Sequence, residues 1–396
     1  MEALALGYTN IAQVQRALAN TFRIQFRLGL FDPAADQPYT RYGFDDINDA
    51  AAQALNDDAA RQALVLLKND AGTLPLATGL RVAVVGPHAN DSDVLQGSYG
   101  GPYCPDGGKT CTPSIFQAVA ALAKGATYAP GSGVTSSSAD QLQQAVAQAR
   151  AADAVILVLG LDQSLEAEQH DRDNITLPPA QEQLAAAVLA LRKRTVVVLV
   201  HGGALAIEML QADAPAILDA HYPGVVGGAA VADVLFGRFN PGGKLPYSVF
   251  PAAFQTLSNF TDMSMTAAPG RTYRYYRGPP VLWPAFYGLS YTTFELAWGA
   301  GWTNGSTVPL TRATALNVSV ANTGALAGSE TVFACFSAVH VNGTPPTHVP
   351  LRQLFDFAKV RLPAGRDASI SFTVDPAITF RLTTDAGVLE RFPGLL

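Results

Sequence analysis

Residues 153–172 read DAVILVLGLDQSLEAEQHDR, and the stretch changes character halfway. Positions 154–159 are an unbroken apolar run of Ala, Val, Ile and Leu. A run this short and this continuously apolar predicts a strand buried on both faces, as in a parallel sheet. At Gly160 it breaks into a polar loop carrying Asp162, Glu166, Glu168 and Asp171, with His170 and Arg172 among them. A buried strand that delivers carboxylates to one edge of a sheet is a common way to assemble acid/base chemistry. Glu166 and Glu168 are two apart, so in extended backbone both face the same way. Either can be the acid/base, and the plainer alternative is a solvated acidic loop. Asp171 beside Arg172 reads as a loop-pinning ion pair and His170 as a surface histidine. No metal site is expected from the cluster.

Working outward, the same texture recurs at 82–85, 196–200 and 216–218, with helical spacing between the runs at 141–151 and 180–192. Alternation of this kind predicts an α/β fold over residues 61–250: a mainly parallel sheet sandwiched by helices, a flavodoxin-like α/β sandwich. Ligands of such sheets sit outside the carboxyl ends of the strands. The loops to inspect are therefore 86–90, 160–172, 201–203 and 221–224. The first, GPHAN, lacks every phosphate-loop pattern and reads as a plain strand-to-loop turn. The His201-Gly202-Gly203 turn has the form of an oxyanion loop, but no GxSxG elbow accompanies it. Ser98 and Tyr99 offer a hydroxyl and a ring suited to a sugar.

Residues 1–60 read as two helices and a linker. Ile11, Val14, Leu18 and Phe22 mark the first, with Thr9 or Asn10 as N-cap. The second is expected over about 48–68, with 63–67 on its apolar face. Residues 251–300 are dense in aromatics and read as an ordered linker. Residues 301–396 alternate apolar and polar positions between turn signals, the pattern of a fibronectin type III-like β-sandwich.

A chain of 396 residues is too long for one ordinary core. Its net charge of −6 and lack of basic patches argue against nucleic acid. No apolar run approaches the roughly 20 residues of a membrane-spanning helix, and the N-terminus has no signal-peptide form. Of three cysteines, Cys104 and Cys111 can close a small disulfide ring, and Cys335 reads as a buried thiol; no zinc pattern or cofactor motif is present. Asn90, Asn174, Asn259, Asn304, Asn317 and Asn342 each head a glycosylation triplet, which suggests a secreted parent protein.

The loop GLDQSLEAEQHDR resembles that of glycoside hydrolase family 3, nearest the plant-type β-D-xylosidase and α-L-arabinofuranosidase branch. So do ALVLLKNDAGTLPL, RVAVVGPHAN, HYPGVVGGAAVADVLFGRFNPGGKLP, PGRTYRYYRGPPVLWPAFYGLSYTTF and VANTGALAGSETV, in family order from about 63 to 375. The resemblance implies a (β/α)8 barrel, a six-stranded α/β sandwich and a fibronectin type III-like domain. It implies retaining hydrolysis of an oligosaccharide with terminal xylose or arabinose, by a barrel aspartate and a sandwich glutamate about 5–5.5 Å apart. The glutamate maps to Glu166, with Glu168 as the alternative register. Residues 1–60 then correspond to the end of the barrel plus linker. No aspartate here matches the family's nucleophile block, so this chain alone is expected to be inactive, with the barrel as its missing partner. The parent protein is expected outside the cell or in the cell wall. The competing class is a non-catalytic carbohydrate-binding or regulatory remnant.

Overall fold

A computed structural model describes residues 2–100, 103–104, 111–259, 261–337, 349–383 and 389–391. The chain divides into two compact units, with the boundary between Asn56 and Asp57. In the first, helix α1 (Ile11–Arg27) opens on a reciprocal capping box. Asn10 Oδ1 accepts from the Gln13 amide and Gln13 Oε1 accepts from the Asn10 amide, each at 3.0 Å. Asn10 is thus the N-cap. The Phe31 ring packs on Phe22 and Phe26 where the chain turns back after α1.

The second unit is built on a six-stranded sheet, β1 (Val65–Asn69), β2 (Arg81–Val85), β3 (Gly125–Ala129), β4 (Ala154–Gly160), β5 (Arg194–Val200) and β6 (Ala216–Asp219), ordered β1-β6-β5-β4-β2-β3. All neighbours are parallel except β1, which runs antiparallel to β6. Alternate residues feed two cores. Val84, Ile156, Val158, Val198 and Leu218 meet Ile115, Val119, Val231 and Leu235 from helices on one face. Val85, Val155, Leu157, Leu199 and Ile217 meet Ala145, Ala149, Leu184 and Val188 on the other. A strand covered on both sides needs apolar side chains at every position, which is why 154–159 shows no alternation.

Two strands depart from the sequence reading. The helix expected to reach residue 68 stops at Ala63, and β1 begins at Val65. Leu64 to Leu67 are all buried, so a four-residue apolar block that fits one helical face serves instead as a strand in the sheet. Strand β3, GATYA, has too little apolar character to stand out and lies at the edge beside β2.

β4 ends in a way that launches the acidic loop. Gly160 has φ +148°, and a Cβ there would overlap the Val200 carbonyl of β5, so only glycine fits. Gln181, fully buried on the following helix, then closes the strand end. Its Oε1 accepts from Gly160 N at 2.8 Å, and its Nε2 donates to the carbonyls of Gly160 at 2.8 Å and Val134 at 2.9 Å.

Residues beyond the sheet fold back on it. Leu245, Val249 and Trp283 join the second core, and Leu289 bridges to Leu66 of β1. The remaining strands form separate antiparallel sheets: β7 (Phe294–Trp298), β8 (Thr314–Asn322) and β11 (Asp367–Val374) in one, β9 (Gly328–Phe336) with β10 (Gln353–Leu362) in another. β7 begins inside the stretch read as linker. Val320, Phe336, Phe372 and Val374 lie in a third core. Among the described residues no helix is long and apolar enough to cross a membrane.

Gln181→Leu keeps the volume but orphans the Gly160 N–H and strips its C=O of the amide donor. Each buried unpaired group costs about 1–3 kcal/mol, so a loss of about 2–4 kcal/mol is expected. It should appear as a lower urea midpoint at unchanged slope.

Candidate active site

Three strand ends converge on one carboxylate. Beyond Gly160 the chain turns at Asp162, whose carbonyl accepts from the amides of Leu165 and Glu166, both at 3.0 Å. This brings Glu166 back over the end of β5. Its Oε1 accepts from Gly202 N at 2.5 Å and Tyr222 Oη at 2.7 Å. Its Oε2 accepts from Gly203 N at 2.9 Å and lies 3.3 Å from Arg172 Nε. Arg172 Nη2 donates to the Ala204 carbonyl at 2.7 Å, so the guanidinium ties the loop to the β5 turn at two points. The oxyanion-like turn thus has a real anion, supplied by the chain itself. Its glycines are required for room: a Cβ on Gly202 would press on Tyr222, and one on Gly203 on Glu166 and Arg172.

Beneath this cradle is a buried ionic network. Asp219, the last residue of β6, faces His201 Nε2 at 3.0 Å and His221 Nδ1 at 3.4 Å. The His201 and His221 rings meet edge-on at 5.3 Å, and Tyr247 packs against His221. Burial alone would lower the His201 ring's proton affinity, but the Asp219 carboxylate outweighs it and holds the ring above the ordinary histidine range. Burial likewise acts to raise Asp219, and the two histidines hold it below the usual carboxylate range. His221 is pushed down, mainly by burial. Tyr222 is pushed up by burial and by its bond to Glu166.

The other sequence-predicted residues fall out as follows. Glu168 and His170 are exposed on the outer part of the loop. Arg172 pairs with Glu166 rather than with the adjacent Asp171. Ser98 and Tyr99 are exposed, Tyr99 at 82%, in a loop whose Gly97 lies against the Tyr222 ring. His88 of the GPHAN turn is buried, with its ring towards the Gly160 backbone. Cys104 and Cys111 are joined, their Cα atoms 5.6 Å apart, and Cys335 is free and half-buried. Asn90, Asn174, Asn259 and Asn304 are exposed, Asn317 is half-buried in β8, and Asn342 lies outside the described residues. The acidic loop itself assembles no metal-type cluster among the described residues; the one close group of histidine and aspartate atoms, within 4.8 Å, is the His201–Asp219–His221 network. Sequence reading missed Asp219 and Tyr222. The signal available was position: Asp219 closes a buried strand and Tyr222 follows it by three residues.

Two cavities flank the loop. One of about 410 Å³ is walled by Phe250 and Phe254, stacked at 4.2 Å, with Arg172 and Arg271. Another of about 550 Å³ is lined by Ser164, Leu165, His170 and Arg172. Arg172 Nη1 is buried with no partner among the described residues.

The fold is shared with known proteins. Residues 64–291 match the model of the glycosyl hydrolase family 3 C-terminal domain. Beta-D-xylosidase 1 of Arabidopsis thaliana is 36% identical over 94% of this chain and 51% of its own length. A probable exo-1,4-beta-xylosidase of Aspergillus terreus is 38% identical over 75% of the chain and 38% of its own length. Among solved structures, a GH3 exo-beta-xylosidase in complex with a xylobiose aziridine activity-based probe superposes with a TM-score of 0.85 at 28% identity, over 99% of this chain and 52% of that one. The chain spans about half the length of these relatives or less.

Arg172→Met removes the guanidinium from Glu166 and Ala204. The expected cost is about 1–3 kcal/mol, with faster proteolytic cleavage within 161–176. Arg172→Lys should recover only part of either, because a point charge cannot reach both partners.

Proposed function

The chain belongs to glycoside hydrolase family 3, and from that premise we propose that it is the C-terminal portion of a retaining, exo-acting glycosidase that releases terminal xylose or arabinose from xylan-derived oligosaccharides. In this reading the sandwich supplies the general acid/base, and a (β/α)8 barrel of the same parent protein supplies the nucleophile. The plant and fungal relatives bear xylosidase names, which supports the substrate class. The six sequons support a secreted glycoprotein as parent, and we read the C-terminal antiparallel sheets as fibronectin type III-like.

Of the two registers for the acid/base, we favour Glu168. One observation carries the choice: Glu166 accepts from two amides and a phenol and pairs with a guanidinium, whereas Glu168, two residues on, is exposed. A general acid must hold a proton and hand it to a leaving oxygen within hydrogen-bond reach. Protonating Glu166 would set an O–H against groups that are themselves donors. Glu166 is instead suited to anchoring the loop. Arg172 lines both cavities, which puts a cationic side chain beside the space a sugar would need.

The test joins this chain to the N-terminal half of the Arabidopsis relative. Glu168→Gln should lower turnover of xylobiose by about 10²–10⁴-fold, while sparing a dinitrophenyl xyloside whose leaving group needs no proton. Azide should rescue Glu168→Gln by attacking the glycosyl intermediate without base assistance. The same pattern in Glu166→Gln would reverse the register. An active fusion indifferent to both substitutions would favour the non-catalytic reading.

A further inference from the structure

Asp219 is 2% exposed, and a carboxylate at that depth costs several kcal/mol unless it is paired. Its main counter-group is His201, itself 2% exposed. The two ring nitrogens of His201 both face acceptors. Nδ1 lies 2.7 Å from the Gly203 carbonyl, which can only accept, so Nδ1 carries a proton. Nε2 lies 3.0 Å from Asp219 Oδ1. An unprotonated Nε2 would set a lone pair against a carboxylate in a site without solvent exposure, so Nε2 carries the second proton. This N–H is not well aligned on Oδ1, so the contact is an ion pair more than a linear hydrogen bond.

The charge has a mechanical consequence. His201 immediately precedes the two amides that hold Glu166, and its ring folds back onto the carbonyl of the second of them. Asp219 also grips the neighbouring arm. Its Oδ1 accepts from His221 N at 3.2 Å, and the His221 carbonyl accepts from His201 N at 3.3 Å. Tyr222, another donor to Glu166, is the next residue along. One buried carboxylate thereby sets two of the three arms that meet at Glu166.

We propose that His201 is a positioning residue held as an imidazolium: clamped between Asp219 and the Gly203 carbonyl, it sets how the Gly202 and Gly203 amides meet Glu166, and so fixes the loop that carries Glu168. The link to Glu168 rests on the reading of that residue as the acid/base. The charged form is favoured by Asp219 and Glu166 and opposed by burial. His221, Tyr222, Tyr247 and Arg172 complete the ionisable surroundings, and His221 is held towards its neutral form, so the network carries one cation on one anion.

Two measurements on the chain itself test this, independently of any activity. Long-range ¹H–¹⁵N spectra of ¹⁵N-histidine-labelled protein at pH 7 should show both ring nitrogens of His201 protonated, with His201→Gln giving the assignment. A spectrum with either nitrogen unprotonated, through a neutral ring or a bound cation, overturns the proposal. In hydrogen exchange, Asp219→Asn, which keeps shape but removes the charge, should speed exchange across 161–172 by roughly tenfold while β4 and β5 stay protected. If the loop keeps its protection, or strands and loop loosen together, His201 is an ordinary core residue and the proposal fails. Should Asp219→Asn not fold, the histidine spectrum of the unsubstituted chain decides the proposal alone. The acid/base reading is judged separately, on the barrel fusion with Glu168→Gln, so either idea can fail with the other intact.

Discussion

The carboxyl edge of this sheet is organised by an anion held inside its own protein. Glu166 receives two amides from the end of β5, a phenol from beyond β6 and a guanidinium from its own loop. Only a parallel arrangement brings these groups together, because β4, β5 and β6 all point the same way and end side by side. An antiparallel sheet would send every second loop to the opposite edge. The topology is therefore a condition of the site. So is the apolar continuity of the strands, since both faces must be covered by the helices that return the chain to the starting edge.

The same edge also buries a charge. Asp219 is buried where an unpaired charge is not tolerated. The network answers this with one imidazolium and one neutral histidine, which leaves no net charge under the cradle. Removing either charged partner is expected to be far more costly than replacing both, as with buried ion pairs generally. The pair is thus weak evidence for extra stability and better evidence for a fixed geometry, which is what the glycine amides above it require.

How much of this was legible in the sequence depends on the kind of signal. The run 154–159 and its loop declared a buried strand and a cluster of acids, and the helices at 141–151 and 180–192 followed from periodicity. Leu64 to Leu67 misled because a short apolar block carries no period of its own. β3 was silent because an edge strand needs little apolar surface. Within the site, Glu166 and Arg172 were visible as chemistry-bearing residues, but not as each other's partners: they are six positions apart, and only the turn at Asp162 and the β5 edge bring them together. Asp219 could not be found by spacing, since its main counter-group, His201, lies at the end of a different strand.

The two glutamates of the loop look interchangeable as letters, and the fold makes them different. A carboxylate that accepts hydrogen bonds from rigid amides is stabilised as an acceptor, each charge-assisted bond being worth about 1.5–3 kcal/mol. To act as an acid it would need an O–H on an oxygen that already faces donors. Glu168, on the exposed side of the same turn, is not enclosed by such donors. Placing the anchored acid two residues before the exposed one also ties down the backbone from which the second side chain departs. Catalysis by positioned carboxylates depends on that rigidity, since a displacement of about 1 Å can cost a factor of about 100.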